Sequence, residues 1–195
     1  IPEEKLASFR EEKSADFAIY DHFFHTLLRQ KAHTLTPAEE NLLAKAAEMG
    51  GAPQQIFTML NDADITFPSI KAADGEEMEL TKGRYITFLE SPDRSIREQA
   101  FKNLYSVYLN QKNTIAATYS SSVKSDVFFA EARKYESARE MALSDDNIPL
   151  SVYDNLIETV NKNLDLLHRY VSIRKKELGV DELHMYDLYV PLVPD

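Results

Sequence analysis

A mainly α fold is what this sequence predicts: helical hairpins and two long helices, with one small β-hairpin at about 65–80 and a terminal strand at about 184–191. Three observations predict it. Only 5 Gly and 8 Pro interrupt 195 residues; apolar residues recur three or four apart along most of the chain, the period of an amphipathic helix; and alternating apolar residues flank a tight-turn dipeptide in one stretch, the signature of a hairpin.

The elements follow in order. Ser14 can cap a helix whose stripe is Phe17, Tyr20, Phe24, Leu27 and Leu28, ending near His33. Thr36-Pro37-Ala38-Glu39 is a capping box with Pro at the first helical position, so a helix should run through Leu42, Leu43, Ala46 and Ala47. Gly50-Gly51 should end it, and Pro53 should start a short successor through Ile56 and Leu60. Asp74-Gly75, between Ile65-Thr66-Phe67-Pro68-Ser69-Ile70 and Glu77-Met78-Glu79-Leu80, marks the hairpin, with Pro68 confining its strand to an edge. Thr81 can cap a short helix through Tyr85, Phe88 and Leu89, and Asp93 opens the first long helix with its charge against the positive helix end. Ile96, Ala100, Leu104, Val107, Ile115, Val123 and Val127 carry that helix to about Ala132, and slips in their period predict bending. Tyr135 to Leu143 gives a further helical turn or two. After the loop Asp145-Asp146-Asn147-Ile148-Pro149, the second long helix starts at Ser151 and Asp154. Its expected core face is Val152, Leu156, Val160, Leu164, Leu167, Val171 and Leu178, and Gly179 closes it. The two long helices suggest a wall against which something else packs.

Leu183-His184-Met185-Tyr186-Asp187-Leu188-Tyr189-Val190-Pro191-Leu192-Val193 reads as a half-polar strand. Such an edge is usually covered by a partner strand, so the chain looks cut where a site begins. Ile1-Pro2 brings no initiator Met and no signal-type segment, which reads as a processing boundary.

Composition excludes several classes. With 22 basic against 32 acidic side chains and a formal charge of -10, the chain repels phosphate backbones, which argues against nucleic acid as a partner. The absence of Cys removes disulfides and thiolate metal sites and fits a reducing compartment. No apolar run approaches the ~20 residues that cross a bilayer, and the cytoplasm is the expected location.

Chemistry is sparse. His-Glu-x-x-His, which sets two imidazoles and a base on one helical face, is absent. His22 and His25 share a helix side, with His33 beyond, but lack a matching carboxylate set and read as partly exposed histidines. Asp126, Glu131, Glu136 and Glu140 read as solvated helix faces. Glu-x-x-His pairs of a di-iron bundle are missing. Tyr186, Asp187 and Tyr189 hold the chemical promise, as phenols and a carboxylate able to line a cleft; on a strand, Asp187 and Tyr189 share one face and Tyr186 takes the other. Packing is the competing role for these tyrosines.

Several blocks together resemble the oligoendopeptidase F group of the M3 family of zinc oligopeptidases. They are Thr36-Pro37-Ala38-Glu39-Glu40-Asn41-Leu42-Leu43, Gly51-Ala52-Pro53 with Ile56 to Asp64, Ile65 to Ile70, Gly83-Arg84-Tyr85 with Phe88-Leu89-Glu90-Ser91, Asp146-Asn147-Ile148-Pro149, Val152 to Ile157, and Leu183 to Val193. The resemblance implies a helical N-terminal lobe with a β-hairpin over 1–84, and the opening helices and first strand of the peptidase domain over 85–195. It further implies a parent metalloendopeptidase that hydrolyses short peptides inside a deep channel. The zinc ligands and the catalytic glutamate lie farther toward the C-terminus in that family, so no residue here inherits a catalytic or metal role and no zinc is expected on this chain. Tyr186, Asp187 and Tyr189 carry over a structural or substrate-cleft role. The implied partners are short peptides and the remainder of the peptidase domain, with no nucleic acid or membrane. The alternative class is a self-contained helical protein-interaction module, which should show covered apolar faces.

Overall fold

The computed structural model describes residues 3–12 and 14–193. Ile1-Pro2, Lys13, Pro194-Asp195 and the side chain of Ser14 lie outside the described residues, and with them the expected processing boundary and the first cap. In chain order the elements are α1 (Glu3–Glu12), α2 (Ser14–Phe17), a 3₁₀ turn (Ala18–Tyr20), α3 (Asp21–Lys31), α4 (Pro37–Met59), a π-helical turn (Leu60–Asp64), β1 (Ile70–Lys71), β2 (Glu77–Met78), α5 (Lys82–Leu89), α6 (Arg94–Asn110), α7 (Lys112–Ala132), α8 (Ala138–Ser144), α9 (Leu150–Lys162), α10 (Leu164–Glu177) and a 3₁₀ turn (Met185–Asp187). Among the described residues the fold is mainly α with one two-stranded sheet. Its residues pack as two compact units, Ile1–Ala52 with Ser121–Tyr153, and Pro53–Ser120 with Asp154–Asp195. No helix among the described residues is long and apolar enough to cross a membrane.

In the first unit the capping box forms as expected: the Thr36 N–H and hydroxyl donate to Glu39 Oε2 at 2.9 and 2.7 Å. α4 then runs straight through Gly50-Gly51 and Pro53, where a stop was expected. Close packing explains the first glycine, since a Cβ on Gly50 would lie 2.8 Å from both Phe129 Cε2 and Ser125 Oγ of α7. A small residue there admits a neighbouring helix, and that packing outweighs the weak helix propensity of Gly. Arg133 binds Glu40 with both terminal nitrogens at 2.9 Å, and His33 stacks on Tyr135 with ring centroids 3.5 Å apart. The single helix expected from Ser14 to His33 is broken by the 3₁₀ turn at Ala18–Tyr20.

The second unit holds the core, a cluster of Ile70, Leu80, Phe88, Leu89, Ala100, Leu104 and Tyr186. Both caps expected around it form. Thr81 Oγ1 accepts from the Arg84 N–H, and the Asp93 carboxylate accepts from the Ser95 N–H at 2.8 Å. The hairpin is present but short, with Ile70 opposite Met78 and Lys71 opposite Glu77, and Gly75 takes the φ of +88° that its turn needs. Side chains of α6 cover the outer edge of β1. The Gln99 amide pairs with both backbone groups of Lys71 at 3.1 and 3.0 Å, and Asn103 donates to Ser69 O at 3.0 Å, so groups that a third strand would need are already bonded.

Each expected long helix is two. Gln111 (φ -100°, ψ 7°) separates α6 from α7, and Asn163 (φ -109°, ψ 9°) separates α9 from α10. Both residues sit in the bridge region, which gives physical form to the predicted bending. Asn163 Nδ2 also donates to Thr159 O at 2.7 Å, drawing a helix carbonyl away from the regular ladder. Gly179, at φ +62°, ends α10 as expected: its N–H reaches Lys176 O and that of Val180 reaches Lys175 O, the paired bonds of a Schellman cap. The expected core face of this pair is corrected at all three of its α9 positions and at one in α10, because Val152, Leu156, Val160 and Leu167 are exposed.

The terminal strand at 184–191 does not form. In its place stands the 3₁₀ turn Met185–Asp187 followed by bends. Local bonding decides this: the Asp187 carboxylate accepts the His184 N–H at 3.0 Å, and Arg174 takes the carbonyls of Asp187 and Val190. Acceptors that a strand needs for its ladder are thereby held by a side chain.

Candidate functional site

Asp187 is the centre of the most concentrated polar chemistry in the second unit. It is fully buried, and its side-chain partners come from α6, which carries the core residues Ala100 and Leu104. The first turn of α6 supplies Arg94, whose Nε and Nη2 donate to Asp187 Oδ1 and Oδ2 at 3.2 and 2.9 Å, a bidentate fork suited to a carboxylate. One turn on, buried Arg97 donates from Nη2 to Oδ1 at 2.9 Å. Arg97 is held in turn by the carbonyls of Ser91 and Pro92 through Nη1. α10 supplies Arg174, whose Nη2 donates to Asp187 O at 3.0 Å and Val190 O at 2.6 Å, while Nη1 donates to the Tyr170 hydroxyl at 3.2 Å. Three guanidinium groups thus grip one carboxylate and the backbone around it.

The electrostatics follow from that geometry. Burial pushes the Asp187 carboxyl up, but the hydrogen bonds from Arg94, the His184 N–H and Arg97 outweigh it and hold the group down at about 2. A carboxylate so stabilised is a poor proton acceptor at neutral pH, and both its oxygens are occupied. Its chemistry is that of an anchor. The Nε groups of Arg97 and Arg174 are buried without a partner, a cost the surrounding bonds must offset.

The three candidate residues of the 186–189 segment therefore separate. Tyr186 is buried, packs edge-on against Phe101 with centroids 5.9 Å apart and lies under the Arg94 guanidinium at 5.4 Å; burial pushes its phenol up. Asp187 is bonded inside the protein. Tyr189 alone of the three presents its ring to solvent, at 52% exposure. Beside it, burial together with Tyr105 and Tyr189 pushes the Tyr85 phenol up to about 12, so that hydroxyl keeps its proton.

Arg94, Arg97 and Arg174 were not singled out from sequence, since Arg94 and Arg97 stand about ninety residues from their partner. A signal existed: Arg97 continues the buried stripe of Ala100 and Leu104 at helical spacing, and Arg174 lies on the side of Val171 and Leu178. An arginine on a core stripe needs a buried partner.

Among the described residues no group of three or more His, Asp or Glu side chains could hold a metal ion, and the chain has no Cys. His25 is exposed and pairs with Asp21 at 3.3 Å, while His33 Nδ1 lies 2.9 Å from Arg133 O.

Comparison with known proteins gives this arrangement its context. Residues 87–193 match the family described as Peptidase family M3, and residues 1–67 match the one described as Oligopeptidase F. Oligopeptidase PepF of Bacillus subtilis is 50% identical over all 195 residues, which span 29% of that relative. Group B oligopeptidase PepB of Streptococcus agalactiae is 48% identical over 91% of this chain and 30% of its own length. Among solved structures, the oligoendopeptidase-F of Enterococcus faecium superposes with a TM-score of 0.91 at 43% identity, over 100% of this chain and 38% of that one. The chain thus spans about 30% of the length of the curated relatives it matches.

Proposed function

From a chain that belongs to peptidase family M3, we propose the non-catalytic front part of a cytoplasmic zinc oligoendopeptidase, a longer polypeptide that hydrolyses short peptides within a channel. The observation that carries this reading is similarity along the whole chain, at 50% identity, to an oligopeptidase of which it spans only 29%. In this reading residues 1–84 belong to the N-terminal lobe and 85–195 open the peptidase domain. Support for that division comes from the two matched ranges, 1–67 and 87–193. It divides sequence families, whereas packing interleaves the same residues in two other units.

Zinc chemistry belongs to the parent. The residues present here do not fit a zinc site, since no suitable group of His, Asp or Glu occurs among the described residues, and no step is assigned to a metal on this chain. The role left to these residues is positional: Asp187, bonded by Arg94 and Arg97, fixes the 182–190 segment and leaves Tyr189 as the group of the three that can touch a peptide.

The test compares two lengths of the protein on a fluorogenic oligopeptide. The full-length polypeptide should hydrolyse it, lose activity to a chelator and regain it with zinc. The 195-residue chain should not turn over with zinc present, and metal-dependent turnover by that chain would overturn the reading.

A further inference from the structure

Resting on that reading, we propose that the exposed apolar side of α9 and α10, around Leu156, Val160, Leu167 and Tyr170, is a packing surface for the remaining part of the same parent polypeptide. The chain and its continuation would then share one core rather than meet as separate domains.

Helix α9 is strongly amphipathic, with Leu156, Ile157 and Val160 on one side, yet none of its residues is buried. A helix of this length owes most of its stability to tertiary packing of its apolar stripe, so an uncovered stripe calls for a partner. Leu156 is 62% exposed and Val160 53%. The stripe continues on α10, where Leu166, Leu167, Tyr170 and Ile173 are also exposed; buried Arg174 lies beside them on the same side, its Nη1 bonded to the Tyr170 hydroxyl at 3.2 Å. Exposed apolar patches of such continuity mark interfaces.

The occupant follows from length. The relatives that match 100% and 91% of this chain are about three times as long as it is, and the solved structure that superposes on all of it is also longer, this chain being 38% of that one. Ample polypeptide is therefore available in cis, and a covalent neighbour has a high effective concentration. Glu158 and Lys162 pair at 2.6 Å with both side chains exposed, and Glu158 falls opposite the apolar stripe in helical angle. The surface for a partner is thus one side of α9, with a solvated side across from it.

Thiol labelling of the full-length protein, read residue by residue by mass spectrometry, tests the assignment. Single substitutions Leu156→Cys and Leu167→Cys would be compared with Glu158→Cys on the solvated side. The first two should label at least tenfold more slowly than the third; equal rates at all three positions would overturn the proposal. A second pair, Leu156→Asp and Leu167→Asp, should lower the thermal midpoint of the full-length protein, and an unchanged midpoint would count against the surface. Peptide hydrolysis by the wild-type protein is read separately, so loss of the peptidase reading and loss of the packing surface give different results.

Discussion

Asp187 shows how much one buried charge can constrain. Its carboxylate is bonded by Arg94, Arg97 and the His184 N–H, so Asp187→Asn would leave buried Arg97 facing a neutral amide. Removing one partner of such a pair costs about 3–5 kcal/mol, and urea unfolding should show a loss of that order. Acid makes the same point reversibly. The folded carboxyl is held at about 2, against an unfolded value of about 3.9. A depressed folded value means the stabilisation is present above pH ~4 and is lost as pH falls from there toward 2, a span worth about 2 to 3 kcal/mol. Unfolding followed from pH 5 to pH 2 should therefore fall more steeply in wild type than in Asp187→Asn; parallel curves would show that Asp187 is not the group responsible. Sequence reading found this residue but gave it the wrong setting. Alternating polar and apolar side chains from His184 to Val190 suit a strand, and nothing local announces that Arg174 takes two of the carbonyls.

Among the elements, the legible ones are those whose ends are decided by neighbouring residues. Thr36, Thr81 and Asp93 cap the helices they were expected to cap, and Gly179 ends α10, because each uses bonds within a few residues of itself. The illegible ones depend on distant partners. Gly50-Gly51 reads as a stop, and only the approach of Phe129 and Ser125 shows why α4 passes through it. The two glycines should answer differently to the same change. Gly51 has open space at its Cβ position, so Gly51→Ala should stabilise by about 0.5–1 kcal/mol through helix propensity. Gly50→Ala must push aside the Phe129 ring and Ser125 hydroxyl, and overpacking of this kind costs about 1–3 kcal/mol, enough to cancel that gain. Thermal unfolding of the two variants should place Gly50→Ala below Gly51→Ala by about 1 kcal/mol or more; equal stabilities would mean the helices can separate at no cost.

For the molecule as a whole, the balance of covered and uncovered apolar surface separates a piece of a larger enzyme from a self-contained helical module. A module should bury its stripes within its own length. Here the core gathers around the hairpin, α5, α6 and the 185–187 turn, while α9 has no buried residue, and Leu109, Tyr119 and Leu166 stand exposed in α6, α7 and α10. Composition gave no warning, since 44% hydrophobic content is ordinary for a closed domain and helical periodicity says which side is apolar without saying what covers it. The net charge of -10 favours solubility through self-repulsion, and salt screens that repulsion at distances beyond about 8–10 Å at physiological strength. The 195-residue chain should consequently bind a hydrophobic dye strongly and associate with itself more as salt is raised, whereas the full-length protein should do neither. Fluorescence titration and sedimentation at low and high salt read both effects. A dye-silent chain that stays monomeric at every salt concentration would mean that its apolar stripes find cover within 195 residues, and the module would then be the better account.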